Sequence, residues 1–345
     1  MKDIGEGTIR RIDWTELTPI VMLLRIFNIA LGVRVLFFAM LGLWLTLLLE
    51  YLSDISFLEP LVFTDSGELH LGRCANLLDG IGNTAPLIRH DPVKIIWLIA
   101  ALMIWIFCGG MICRIAAVRL TIDESEPMKN LLLFFRKRGI SFISSLVLLT
   151  LGILICFLPV LIACWLLKVP VLHYVVAVLF PVPILFAFLT ILLVLSLGIG
   201  FMLLFAAVST DGSDGFDAIS RMFSYIYQRP LHYVLYWICC GVLGWLGYNL
   251  VFFVFVYPVM KGVYFIPPSD SQFIVKHWLV FFESLPVAYV FAWFWTSSVA
   301  IYILLRRSVD ATPFNEVYRV VPPKVRTLPA IKPDAHGAPE IAAGH

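Results

Sequence analysis

From Val169 to Val208 the chain carries no aspartate, glutamate, lysine or arginine. Charge is scarce throughout: 14% of the 345 residues bear it, against 61% that are hydrophobic, and mean hydropathy reaches +0.93. A soluble domain has too little interior to hide that much apolar surface, so a bilayer must be part of the solvent. The few charges are scattered and sum to +2, which argues against nucleic acid as a partner.

The motifs of familiar chemistry are missing as well. There is no Walker loop, no Gly-x-Ser-x-Gly, no His-Glu-x-x-His and no dinucleotide fingerprint. None of the seven cysteines (Cys74, Cys108, Cys113, Cys156, Cys164, Cys239 and Cys240) forms a Cys-x-x-Cys pair, and six lie in or beside apolar runs. They read as small buried hydrophobes. Charge is absent from the middle of every long apolar run, which weighs against a proton- or sodium-driven pump. No secretory signal pattern opens the sequence, so the first apolar run is expected to persist as a membrane helix.

What is present is a series of long apolar runs. One crossing of a core about 30 Å thick takes about 20 residues. On that measure spans fall near 34–51, 93–113, 141–166, 184–208, 232–256 and 284–305. Pro181 and Pro183 divide the uncharged stretch, leaving 171–181 as a short interfacial or re-entrant piece. A seven-span alternative would send the Arg306-Arg307 pair outside. With six spans and an inward N-terminus, the outer segments keep only Arg73, Arg89, Lys94, Lys168, Lys261 and Lys276 of the 25 Lys and Arg. The positive-inside rule therefore favours six spans with both termini cytoplasmic.

Two stretches share a layout: RIAAVRLTIDESEPMKNLLLFFRKRGISF (114–142) and LFAAVSTDGSDGFDAISRMFSYIYQRPLHY (204–233). In each, a span ends in Ala-Ala-Val, an acidic loop follows, then a short amphipathic helix, a basic residue and the next span. These are parallel repeats related by an axis along the membrane normal. The Asp211–Asp217 loop could pass for a metal site, but it fails the EF-hand spacing. It reads instead as a helix start, capped by Ser213 or Asp214, with Asp217 facing the positive helix end and glycines 212 and 215 making the turn. Phe216, Ile219, Phe223 and Ile226 recur at helical spacing and predict the apolar face. The ends rhyme with this unit: WTELTPIVMLLRIFNIALG (14–32) leads into span one, and RRSVDATPFNEVY (306–318) follows span six, with Thr312 as cap and Pro313 at the first helical position. Together they read as a permuted third copy.

RIAAVRL, GFDAISRMFSYIYQRPLHY and IYILLRRSVDATPFNEVY resemble a group of uncharacterised multi-pass bacterial membrane proteins of planctomycete-type genomes. More distantly, the layout is similar to Yip-like and glycerophosphodiesterase-associated membrane domains. The resemblance covers most of 14–318 and implies an architecture, with no catalytic residue.

The expected fold is all-α and polytopic, with six transmembrane helices, cytoplasmic amphipathic helices and a parallel internal repeat. Its divisions are a cytoplasmic N-terminus with an amphipathic helix (1–33), a six-span membrane domain (34–308, repeat units about 93–166 and 184–256) and a cytoplasmic, mostly disordered tail (309–345). Thr190, Ser196, Asn249 and Thr296-Ser297-Ser298 are expected to hydrogen-bond between helices. On the outer side, His70, His90, Asp91, His173, His277 and Glu283 could gather a metal, but they come from four separated segments without paired spacing. They read as loop residues. No catalytic, cofactor-binding or metal site is assigned, and no cofactor. The expected function is that of a non-enzymatic, membrane-organising or complex-subunit protein of the bacterial inner membrane. Membrane lipids, other membrane proteins or further copies of the chain are its expected partners. A permease or channel-like component for a neutral or amphipathic solute is the alternative.

Overall fold

The computed structural model describes residues 21–53, 92–170, 172–263, 272–319, 331–333 and 339–341. It is an all-α polytopic membrane protein with six helices long and apolar enough to cross a bilayer. In chain order the helices are α1 (Val21–Ala30), α2 (Val33–Ser53), α3 (Pro92–Ile122), α4 (Met128–Leu166) and α5 (Leu172–Val178). They continue with α6 (Pro181–Asp211), α7 (Gly215–Gln228), α8 (Pro230–Val251), a π-helical turn at Phe252–Val256, α9 (Tyr257–Val263) and α10 (Gln272–Asp310). Beyond them, Ile331–Pro333 pairs antiparallel with Pro339–Ile341.

The uncharged stretch resolves as its prolines predict. The seven residues of α5 are about 10 Å of helix, far short of a crossing. Pro181 then stands at the first position of α6, where a missing N–H costs nothing.

Three spans, α3, α6 and α10, pack mutually at the centre and end at one pole, here called the turn end. Each is followed by a residue in the left-handed region: Asp123 (φ 56°), Gly212 (φ 63°) and Ala311 (φ 54°). The other three, α2, α4 and α8, start at the turn end and run away from it. Their packing is cyclic: α4 lies chiefly along α6, α8 along α10, and α2 along α3. Each span that ends at the turn end has a counterpart leading away from it through an amphipathic segment: α3 with α4, α6 with α7 and α8, and, in permuted order, α10 with α1 and α2.

The joint between amphipathic segment and span follows local chemistry. Pro230 bars Arg229 from helical backbone (φ −134°, ψ 54°) and breaks α7 from α8. The corresponding Arg138 precedes Gly139, and there α4 runs through without interruption. The segment near 128–138 is therefore not a separate helix as its sequence suggests. The bundle centre is filled by rings, with Phe205 and Trp295 centroids 4.7 Å apart and Phe142 and Phe205 5.2 Å apart. Cys113 lies there, its Sγ 3.8 Å from Ser298 Oγ.

Two expectations need correction. Thr190, Thr296, Ser297 and Asn249 bond back to carbonyls three or four residues earlier in their own helices. This bonding satisfies a hydroxyl without any neighbour. Ser196 does reach across, 2.9 Å from Tyr227 Oη. After α10 the Thr312-Pro313 device makes no helix over 311–319. The segment lies back under the bundle as a strap, and Tyr318 N–H donates to the Thr210 carbonyl at 2.8 Å.

Candidate functional site: a buried polar junction

The ends of α3, α6 and α10 carry the charge that the spans lack. Asp211, the last residue of α6, accepts from Arg221 Nη1 (2.8 Å), from Tyr302 Oη (2.5 Å) and from Arg306. Arg221 also donates Nε to Asp217 Oδ2 at 3.0 Å. One carboxylate therefore ties α6 to α7 and to α10. Tyr225 donates from α7 to Asp310, making a second tie between those helices. Arg306 continues outward to the Glu316 carbonyl of the strap at 2.7 Å.

A second centre lies at the end of α3. Arg114, 1% exposed, meets the two oxygens of Glu126 through Nε (2.9 Å) and Nη2 (3.2 Å). Its Nη1 donates to the Ser209 carbonyl of α6 at 3.0 Å, and its guanidinium lies 4.5 Å from the Phe134 ring centre. Arg25 of α1 joins the same turn by donating to Asp123 Oδ1 at 3.1 Å, and Arg34 of α2 by donating to the Glu126 carbonyl at 2.8 Å. Thr210 Oγ1, Ser213 Oγ and Arg306 Nε are buried without a hydrogen-bond partner. Their desolvation is a cost to the fold.

The placement of α7 follows from small residues. Asp214 caps it by accepting from the Asp217 N–H at 2.9 Å, with Asp217 in the first turn, as the sequence predicts. Gly212 supplies the left-handed turn, and a Cβ there would sit 2.5 Å from the Tyr318 ring. At Gly215 a Cβ would come within 2.7 Å of the Ser145 backbone nitrogen, so α7 touches α4 only because that side chain is absent. The buried face is accordingly Gly215, Ala218, Met222 and Tyr225. The expected stripe is displaced from it: Ile219, Phe223 and Ile226 are half-buried flanks, and Phe216 is 74% exposed.

Two groups of the junction, Arg221 and Tyr225, are shifted by their surroundings. Burial opposes the Arg221 charge, but Tyr302, Asp211 and Asp217 outweigh it and push the guanidinium further up. Burial first, and Asp310 second, push the Tyr225 phenol above its usual range. A raised folded-state value stabilises the protein below the ordinary phenol range near 10, and that contribution is lost as pH rises beyond it. In an alkaline titration followed by tyrosinate absorbance, Tyr225→Phe should remove a phenol from the late part of the curve. Loss from the ordinary part would contradict this environment.

The junction holds charges in fixed places. Among the described residues, no three His, Cys, Asp or Glu side chains gather to hold a metal. Of the outer-side candidates, His173 lies in α5 with its ring centre 3.9 Å from that of Tyr174, and Glu283 lies in α10. His70, His90, Asp91 and the His277 side chain fall outside the described residues. No protein-family model, curated protein or solved structure matches the chain. Asp211, Arg306 and Arg114 are thus the residues that sequence reasoning passed over. The available signal was an acid directly closing the longest uncharged stretch.

Proposed function

We propose that the chain is a non-enzymatic, membrane-organising protein of the bacterial inner membrane, with both termini cytoplasmic, acting on lipid or as a subunit with other membrane proteins or further copies of itself. The observation that carries this reading is α7. Two spans, α6 and α10, fix it through Arg221 on Asp211 and Tyr225 on Asp310, while Phe216, Tyr227 and the neighbouring Leu231 remain exposed beside it. A rigidly presented amphipathic helix at the end of a bundle suits the membrane interface or a partner lying in it. The ring-filled centre and the absence of Asp, Glu, Lys and Arg from the middle of each span favour this over the permease reading.

The test compares the wild-type chain with Phe216→Asp, both taken from native membranes in gentle detergent. Phe216 touches little of the core, so the variant should keep its fold. It should lose a stoichiometric partner, or tightly held lipid, by about tenfold, roughly the 1.4 kcal/mol that one exposed aromatic contributes on burial. Unchanged company in the variant, or specific solute flux by the wild type in proteoliposomes, would overturn the proposal.

A further inference from the structure

The three spans that lead away from the turn end carry a common sequence. Arg-x-(Leu/Ile)-x-(Phe/Tyr) occurs at Arg34-Val35-Leu36-Phe37-Phe38, at Arg138-Gly139-Ile140-Ser141-Phe142 and at Arg229-Pro230-Leu231-His232-Tyr233, and nowhere else in the chain. One copy opens α2, one lies at the junction of α7 and α8, and one lies inside α4, at its eleventh residue. The cyclic packing therefore distributes them around the turn end.

The copies also share surroundings. The closing aromatic is buried in every case: Phe38 at 4%, Phe142 at 0% and Tyr233 at 3% exposure. Phe38 packs edge-on to Phe107 and Phe142 against Phe205, and Tyr233 donates to the Ile199 carbonyl. Apolar side chains beside each arginine face outward: Val33 and Phe37 at the first, Ile140 (78% exposed) at the second and Leu231 (82%) at the third. Arg34 and Arg229 are themselves exposed, and Arg136 and Lys137 add exposed charge beside Arg138. Arg138 lies 5.2 Å over the Tyr318 ring, a contact with its face that leaves the N–H edge available. Two carboxylates near Arg34 are engaged elsewhere, Asp123 by Arg25 and Glu126 by Arg114.

We infer that these three arginine motifs bind the headgroups of anionic phospholipids, with arginine on the phosphate, the exposed apolar side chain among the acyl chains and the buried aromatic as anchor. This inference rests on the lipid-organising side of the proposed function and names the lipid class. A guanidinium fork suits a phosphate, and a nearby exposed aliphatic suits a phosphate that carries acyl chains. The geometry thus favours a lipid over free phosphate.

Native mass spectrometry of the purified full chain, exchanged into mixed phosphatidylglycerol and phosphatidylcholine, tests it. Up to three phosphatidylglycerol molecules should be retained in preference to phosphatidylcholine, and excess inorganic phosphate should not displace them. Each of Arg34→Gln, Arg138→Gln and Arg229→Gln should lower that preference about fivefold at one site, while Arg229→Lys should keep most of it. Arg229 is exposed at a helix break, so its substitutions should leave folding intact even if Arg34→Gln does not. No preference in the wild type, or an unchanged one in Arg229→Gln and Arg138→Gln, would overturn the lipid site. Solute flux by a chain that still holds its phosphatidylglycerol would overturn the organising reading alone.

Discussion

Asp211→Ala is expected to destabilise the protein by about 3–5 kcal/mol, the range for removing one partner of a buried ion pair. Arg306 is almost wholly buried, and Asp211 is the carboxylate that meets it. Deleting that carboxylate leaves a guanidinium in a site that was already short of one hydrogen bond, at Nε. Arg221 suffers less, because it is part-exposed and keeps Asp217 at 3.0 Å. The informative control is the double substitution Asp211→Leu with Arg306→Met, which removes both charges. It should recover much of the loss, since apolar replacement of a buried pair is often neutral. Thermal unfolding in detergent of this double variant beside Asp211→Leu alone and Arg306→Met alone gives the coupling directly. If Asp211→Ala cost under about 1 kcal/mol, the junction would be a surface pair of ordinary weight.

A second consequence concerns α7. Tyr302 and Arg221 both donate to Asp211, so its loss unties that helix from α6 and α10 together. Tyr225 with Asp310 then remains as the polar link to α10. The helix should fray toward Gly215 before the spans separate, because its first turn depends on the cap and the apolar side chain in that turn, Phe216, is exposed. Amide exchange concentrated in 215–222 would report that order of events.

The sequence was most legible where a single physical term dominates. Span number followed from apolar length, and the break near 181 from prolines. The start of α7 followed from Asp214 and Asp217, since capping is local chemistry. The buried face of α7 was less accessible. Hydrophobicity ranks Phe216 above Ala218, yet helices approach most closely through small residues, and Gly215 and Ala218 face the bundle. The strap was misread because Thr312-Pro313 is a sound local helix start, whereas Tyr318 and Glu316 are held by Thr210 and Arg306. The junction was hidden for a similar reason. Arg306 lies 95 residues from Asp211 and Arg114 lies 95 from Ser209, and no spacing rule relates such pairs. The threefold cycle was half visible as the rhyme of the two ends, and the closing contacts of α2 on α3 and of α8 on α10 required coordinates.

Arg114 carries the other large effect. Arg114→Met should cost about 3–5 kcal/mol, because Glu126 would lose both of its donors from this residue in a site where it is mostly buried. Arg114→Lys should be nearly as harmful, although it keeps the charge. An ammonium cannot reproduce two near-parallel bonds to one carboxylate, a third to the Ser209 carbonyl and planar contact with Phe134. Arg114→Met combined with Glu126→Gln separates the two contributions. It removes the charge imbalance but leaves Ser209 without its donor from α3. If the pair matters chiefly through charge, this double variant should return to within about 1–2 kcal/mol of wild type. If it matters as the geometric link between α3 and α6, stability should stay low, and cross-linking between cysteines placed at the ends of those two helices should fall. The fork, the carbonyl bond and the ring contact all act on one side chain, so the second outcome is the one expected.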